Sequence, residues 1–229
     1  MSQGALPISR HERGKTQRKE RIIDATLSLV RERGMDDVSI VQIAERADVG
    51  AATVYNLFGT KSAIYRAIFD RETRVFEARV ARAGTLTPLD KMFLAVDFVV
   101  ECVDRDPNFQ RAIAYACGNG AEELAAAIAK RRISFYVETM SAAVAAGQLR
   151  GSTEPELLGL TLANLISGTA LGPMVETSKE RLAARLHYGV AVFLHAFATK
   201  RCAPSLRRRL VRARAELLAG GQRPWVKAS

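Results

Sequence analysis

The stretch Ile43-Ala44-Glu45-Arg46-Ala47-Asp48-Val49-Gly50-Ala51-Ala52-Thr53-Val54-Tyr55-Asn56-Leu57-Phe58-Gly59-Thr60-Lys61-Ser62-Ala63-Ile64-Tyr65 holds two short helical segments joined by a tight turn. The first opens at Ser39, and Gln42 stands three residues on. Ser-x-x-Gln is a capping box, in which side chain and backbone satisfy each other's free donors. Ile40, Ile43 and Ala44 form its inner stripe, and it ends near Arg46. Ala47-Asp48-Val49-Gly50 turns the chain into a second helix, Ala51–Leu57. A helix this short is not stable alone, so packing must hold it. Val49, Val54 and Phe58 supply that packing, which leaves Ala51, Ala52, Thr53, Tyr55 and Asn56 facing outward.

Working outward, every neighbouring segment also reads as helix. Upstream, Thr16 can cap a helix to Arg33, with Ile22, Ala25, Thr26, Leu29 and Val30 at helical spacing and Gly34 as its end. Downstream, Thr60 caps a helix from Lys61 to about Arg82, with Ile64, Ile68 and Val75 inside. Gly84–Pro88 is a boundary, and longer helices follow. Leu89–Arg105 comes first, then one opened by Asp106-Pro107, with proline in its favoured first turn. Ala121–Ala146 follows, then Glu154–Thr177 and Ser178–Thr199 as a hairpin, and a last basic helix, Leu206–Leu218. No sustained alternation or Asn-Gly hairpin signal appears. The fold class is therefore all-α. The expected layout is a flexible basic arm (1–15), a compact N-terminal domain (16–65), a connecting helix (66–84), a larger C-terminal domain (85–218) and a flexible tail (219–229).

Charge is unevenly placed along the 229 residues. Residues 1–74 hold 13 basic and 10 acidic side chains, residues 75–199 hold 12 and 13, and residues 200–229 hold 9 and 1. A neutral middle between basic ends favours a polyanion such as nucleic acid as partner. Cys102, Cys117 and Cys202 are odd in number and show no Cys-x-x-Cys spacing, which suits reduced thiols in a cytoplasmic protein. The first 24 residues lack the apolar core of a secretion signal. Leu157–Val175 runs 19 residues without a charge, near the minimum for a membrane span. Thr161, Asn164, Ser167, Thr169, three glycines and Pro173 make it a helix buried among helices instead, so no membrane partner is expected.

The short pair Ser39–Arg46 and Ala51–Leu57 is either a helix-turn-helix or simply two packed helices. As a helix-turn-helix it has a chemistry. Two alanines at the start of the second helix let its backbone approach the major groove closely. Thr53 and Asn56 can meet base edges or phosphates, and asparagine pairs adenine through two hydrogen bonds. Tyr55 can reach a phosphate, and Lys61 at the next helix start can attract one. Ser39 and Gln42 complete the expected DNA-contacting set. The stretch from Ile43 to Tyr65 resembles the signature of the tetracycline-repressor (TetR) family: Ile-Ala-x-x-Ala, a glycine-valine turn, Thr-hydrophobic-Tyr, then Phe-x-x-Lys. Arg21-Ile22-Ile23-Asp24-Ala25 and Gly34 fit as well. Three positions depart from it: Asp48 where glycine is usual, Gly50 where a serine-like cap is usual, and Ala51 where a larger polar or basic residue is common. Readout would then lean on Thr53, Asn56 and DNA shape. The resemblance implies an all-α homodimer that binds a palindromic operator in double-stranded DNA and releases it on binding a small inducer. Groove geometry agrees on a dimer, since two recognition helices must lie about 34 Å apart to read successive turns.

The C-terminal domain carries two candidate surfaces. Leu182, Leu186, Val190, Phe193 and Phe197 form an apolar stripe, read either as half of a dimeric four-helix bundle or as core within one subunit. Gly159, Ala163, Ala170 and the Gly168/Gly172 pair would permit close helix approach. Phe93, Val96, Val100, Phe109, Ile113 and Phe135 are either core or the lining of a pocket for a small hydrophobic effector, with Tyr115, Tyr136 and Asn164 as polar anchors. His187 and His195 read as packing or interface residues, and no ligand spacing points to a metal or other cofactor. The arginine-rich last helix either docks through Leu206, Leu210, Leu217 and Leu218 or adds a contact to DNA or another anionic partner. No nucleophile elbow, phosphate loop or carboxylate–histidine constellation is present, so no catalytic residues are expected. A non-specific DNA-coating protein and an activator stand as the rival binding roles.

Overall fold

A computed structural model describes residues 9–34, 37–110, 122–152, 154–171 and 178–219. Its helices are α1 (Arg10–Arg33), α2 (Ile40–Arg46), α3 (Ala51–Phe58), α4 (Lys61–Arg82), α5 (Pro88–Arg105), α6 (Glu122–Ala145), α7 (Pro155–Leu171), α8 (Lys179–His195) and α9 (Ala203–Ala219). A further helix starts at Pro107 and is described to Gln110. Among the described residues the only β pairing is a single antiparallel bridge between Leu149 and Ala198. None of the described helices is long and apolar enough to cross a membrane. The chain forms two units: among the described residues the first holds 9–74 and 122–127, and the second holds 75–110 and 128–219, so both α4 and α6 are divided between them.

In the first unit, α1 starts six residues before the expected Thr16. Ser9 caps it instead, its hydroxyl accepting the Glu12 amide at 3.2 Å. Ser9-x-x-Glu12 is itself a capping-type signal, and Glu12 in the first turn suits the positive end of the helix dipole. Thr16 lies inside the helix, its hydroxyl donating to the Glu12 carbonyl at 3.0 Å. The core is built from one face of α1 (Ile22, Ile23, Leu29 and Val30), joined by Val38, Ile43, Ala44, Val54, Ile64, Tyr65 and Ile68. Thr26 is fully buried yet satisfied, because its hydroxyl donates to the Ile22 carbonyl at 2.7 Å.

The second unit buries Leu89, Met92, Phe93, Val96 and Val100 of α5 with Tyr136, Met140, Leu158, Leu162, Ile166, Leu182, Leu186, Val190, Leu194 and Leu206. Thr87 caps α5 and Ser178 caps α8, each accepting the amide three residues on. Gly159 marks the tightest approach, where an added Cβ would stand 2.7 Å from the backbone nitrogen of Val137 on α6. That closeness lies within one subunit. Val75, expected inside α4, is half-exposed.

The basic helix α9 docks on α8 and α5. Leu206 and Ala213 are buried and Leu210 packs on the core. Arg209 turns inward too, bonding Asp90 at 2.7 Å with its guanidinium 4.3 Å from the Phe93 ring. Phe93 in turn stacks on His187, which meets Asp97 at 2.7 Å. The docking reading of this helix therefore holds for its inner side. Leu218 is the exception: it is 61% exposed and lies outside the seam assigned to it.

Candidate nucleic-acid interface and effector site

The capping box predicted at the start of α2 is present in both directions. The Ser39 hydroxyl accepts the Gln42 amide at 3.3 Å, and the Gln42 side-chain oxygen accepts the Ser39 amide at 2.8 Å. Both expected DNA contacts thus also shape the helix that presents them. The α2 end is a Schellman motif: the Val49 amide donates to the Ala44 carbonyl and the Asp48 amide to that of Glu45. Asp48 fills the left-handed position of this motif, at φ 53°. Glycine is usual there because it lacks the Cβ that crowds left-handed backbone. Aspartate tolerates the position better than most side chains, and here its carboxylate is 99% exposed, 3.7 Å from Arg21.

Gly50 begins α3 without a side-chain cap, and Val54 anchors the helix in the core. The face opposite Val54 is open. Ala52 and Asn56 are exposed, Tyr55 is 55% exposed, and Ala51 and Thr53 are half-buried. All five expected contact residues therefore share one accessible, uncharged helix. Val49 and Phe58, expected inside, are half-buried, and the Lys19 ammonium stands 5.5 Å from the Phe58 ring centre.

Lys61 differs from expectation. Its ammonium is drawn back onto the first unit, donating to the Val38 carbonyl at 3.0 Å, immediately before the α2 cap. The side chain therefore ties the start of α4 to the start of α2, and its phosphate role is not that of an open anchor. Thr60 caps α4 as expected, accepting the Ala63 amide at 3.1 Å.

Two contributors escaped the sequence reading. Val41, 58% exposed, sits on the outer side of α2. Arg46 fastens α2 to α1 through a two-pronged bond to Glu32, at 2.7 and 2.9 Å, and a third bond to Ser28. Those bonds from Arg46 and Ser28 hold the Glu32 carboxyl down at about 2. No local spacing signals a pairing across 14 residues, so only the packed helices reveal it.

In the second unit the expected effector residues divide. Phe93, Val96, Val100 and Tyr136 meet in one core, and Phe109 is buried at the start of the helix capped by Asp106. Phe135 is half-buried, edge-on to Phe76 and inclined at 69° to Tyr136. Burial raises the Tyr136 phenol above its ordinary range, with the nearby Arg132 opposing. Among the described residues nothing hydrogen-bonds that buried hydroxyl. Asn164 is corrected: it is exposed, on the opposite side of α7 from the core residues Leu162 and Ile166. Ile113 and Tyr115 lie outside the described residues.

The expected dimer stripe is corrected as well. Leu182, Leu186 and Val190 are buried in their own subunit, Leu186 at 0% exposure, with Phe193 and Phe197 packed against the same core. An i, i+3, i+4, i+7 stripe marks a buried face but does not say whose atoms bury it. The outward uncharged stripe lies instead on α7, where Leu157 and Leu160 stand exposed beside exposed Thr161, Asn164 and Gly168. Val192 and His195 are exposed on α8. The uncharged run Leu157–Val175 held this signal, since these positions repeat at helical spacing.

Known proteins give the geometry its context. Residues 22–68 match the family model for bacterial regulatory proteins of the tetR family. The HTH-type transcriptional repressor KstR of Rhodococcus jostii is 28% identical over 172 residues, 73% of this chain and 76% of that protein. The HTH-type transcriptional regulator BetI of Cronobacter sakazakii is 39% identical over 72 residues, covering 31% of this chain and 35% of its own length. Among solved structures, a TetR-family regulator from Rhodococcus sp. superposes with a TM-score of 0.67 at 18% identity, over 78% of this chain and 99% of that one. A gamma-butyrolactone receptor superposes at 0.61 and 14% identity, over 89% and 99%.

Proposed function

We propose that this chain, whose residues 22–68 match the family model for bacterial regulatory proteins of the tetR family, is a cytoplasmic TetR-family repressor that binds a palindromic operator as a homodimer and releases it on binding a small apolar effector. The observation that carries the DNA half is the outer face of α3. Ala52, Tyr55 and Asn56 stand exposed, with half-buried Ala51 and Thr53 beside them, on a helix braced by buried Val54. With no charge on α3, specificity comes from Asn56 and Thr53 at base edges and from DNA shape. Basic side chains elsewhere in the first unit supply phosphate affinity. Lys61 acts by positioning α2, through its bond to the Val38 carbonyl.

The effector reading rests on Tyr136. A phenol this buried, with no hydrogen-bond partner among the described residues, is costly unless something supplies one. An effector with one polar group on an apolar body would do so beside Phe93, Val96, Val100 and Phe135. The dimer forms through the uncharged outer face of α7, where Leu157 and Leu160 are exposed, together with Val192 and His195 exposed on α8, since exposed apolar side chains on neighbouring elements mark association.

Fluorescence anisotropy with the protein's own promoter region tests the whole reading. Saturable binding to that fragment, at least about a hundredfold tighter than to random duplex, is expected. Equal affinity for both would leave only a DNA-coating role. Tyr136→Phe should weaken release by apolar effectors found in a thermal-shift screen; a screen that yields only highly charged binders would reject the effector assignment.

A further inference from the structure

Helix α9 spends one side on docking and leaves the other open. Pro204, Val211 and Leu218 fall seven residues apart on that open side, Val211 58% and Leu218 61% exposed. The three span about 21 Å of helix. Arg207, Arg208, Arg212 and Arg214 are exposed around them. Pro204, Arg207, Arg208, Val211 and Arg212 together line an open groove of about 480 Å³. Of the arginines on α9, Arg209 is taken by Asp90 and Arg212 by Glu216. Among the described residues no carboxylate pairs with Arg207, Arg208 or Arg214. Glu216 is the one acidic residue in the net +8 stretch 200–229.

We infer that this outer face of α9 is a docking surface for an acidic amphipathic helix of another protein. Three observations converge. The uncompensated guanidiniums demand carboxylates, which they bind in two-pronged geometry. The seven-residue repeat keeps the exposed apolar side chains in line along one face, one seam position per heptad, with arginines beside it. The third is what other anions lack. A phosphate backbone offers nothing to cover Val211 and Leu218, and arginines interrupt the continuous apolar face that a helix needs to lie in lipid. A partner helix with aliphatic residues at seven-residue spacing and glutamates beside them would cover the apolar atoms and neutralise the charge together.

The test uses the full-length chain and a labelled synthetic helix of about 21 residues, with leucine at heptad positions and flanking glutamates. Two control peptides change only the leucines to serine or only the glutamates to lysine. Competitors are random duplex DNA and vesicles containing phosphatidylserine. The acidic amphipathic peptide should bind, and each control should bind about tenfold more weakly or worse. Val211→Ser with Leu218→Ser, and Arg207→Glu with Arg208→Glu, should each cost about tenfold or more in peptide affinity. Both pairs are exposed, so unfolding temperature and operator affinity should stay unchanged. Equal binding of the serine control would reduce the face to unspecific charge. Binding of DNA or vesicles that depends on Arg207 and Arg208, with no peptide binding, would overturn the proposal. Peptide binding indifferent to both double variants would overturn it as well. Operator binding is measured on the same samples, so a failed docking face and a failed repressor reading are told apart.

Discussion

Helices α3 and α8 both turn apolar side chains inward, and the inward face means different things in each. In α3 a single fully buried residue, Val54, fixes which way an eight-residue helix faces, and everything opposite it is surface. In α8 the stripe Leu182–Leu186–Val190 is equally apolar, but it is absorbed into the core that α8 shares with α5, α7 and α9 of the same subunit. A short helix beside a tight turn has few neighbours, so its inside is decided locally. A long helix in a bundle can turn its stripe to several neighbours, and sequence periodicity cannot choose among them.

The sharpest way to break this contrast is to charge each face of the hairpin in turn. Leu186→Asp should abolish folding of the second unit, a loss of about 4 kcal/mol or more from burying an unpaired carboxylate. Leu160→Asp should leave the subunit folded but monomeric by analytical ultracentrifugation. Folded Leu186→Asp protein that had merely lost its dimer would restore the original reading of the stripe. Glycines offer the same comparison. Gly159→Val should cost about 3 kcal/mol in thermal unfolding, because α6 and α7 must part. Gly168 has no neighbour within 4 Å of an added Cβ, so Gly168→Ala should stabilise by up to about 1 kcal/mol.

On the α3 side the expected effects are smaller and fall on binding. Asn56→Ala and Tyr55→Ala should each weaken operator affinity by about 1–3 kcal/mol, with unfolding temperature unchanged. Asn56→Ala should also relax base preference. Unaltered affinity in both variants would remove α3 from the interface. Between α1 and α2, the Glu32–Arg46 pair sets a pH dependence. The Glu32 carboxyl is lowered from 4.5 to about 2, so its contribution is full above pH 4.5 and fades as pH falls from 4.5 toward 2. Glu32→Gln should flatten stability against pH in that window; an unchanged slope would show the pair to be idle. The smallest effect belongs to Asp48. Asp48→Gly should stabilise the turn by about 0.5 kcal/mol, since the left-handed position suits glycine and the exposed contact to Arg21 contributes little. A destabilised variant would give that contact a larger share.

Much of the DNA-facing unit was legible beforehand because its signals are short-range. Ser39 and Gln42 are three residues apart, and Asp48 stands at the turn position that a glycine would fill. The misplaced start of α1 belongs here too, since Ser9 and Glu12 carried an equally local signal. The candidate sites of the second unit were legible only in part. Phe93, Val96, Val100 and Tyr136 do meet in one core, because large apolar side chains on amphipathic helices must meet somewhere. Asn164 was misassigned because its orientation depends on which face of α7 meets the core, and no neighbour in sequence decides that.

The sequence by itself determined the helices, their caps, the turn between α2 and α3 and the outward residues of α3. Each of these depends on hydrogen bonds and backbone sterics acting over three to five residues. Tertiary structure alone decided that Lys61 reaches back to Val38, that Arg46 clasps Glu32, and that Arg209 threads between Asp90 and Phe93. It also turned the apolar stripe of α8 inward and left those of α7 and α9 outside. Burial is a property of the whole packing arrangement, and an amphipathic pattern states only that a face wants cover, not what will cover it.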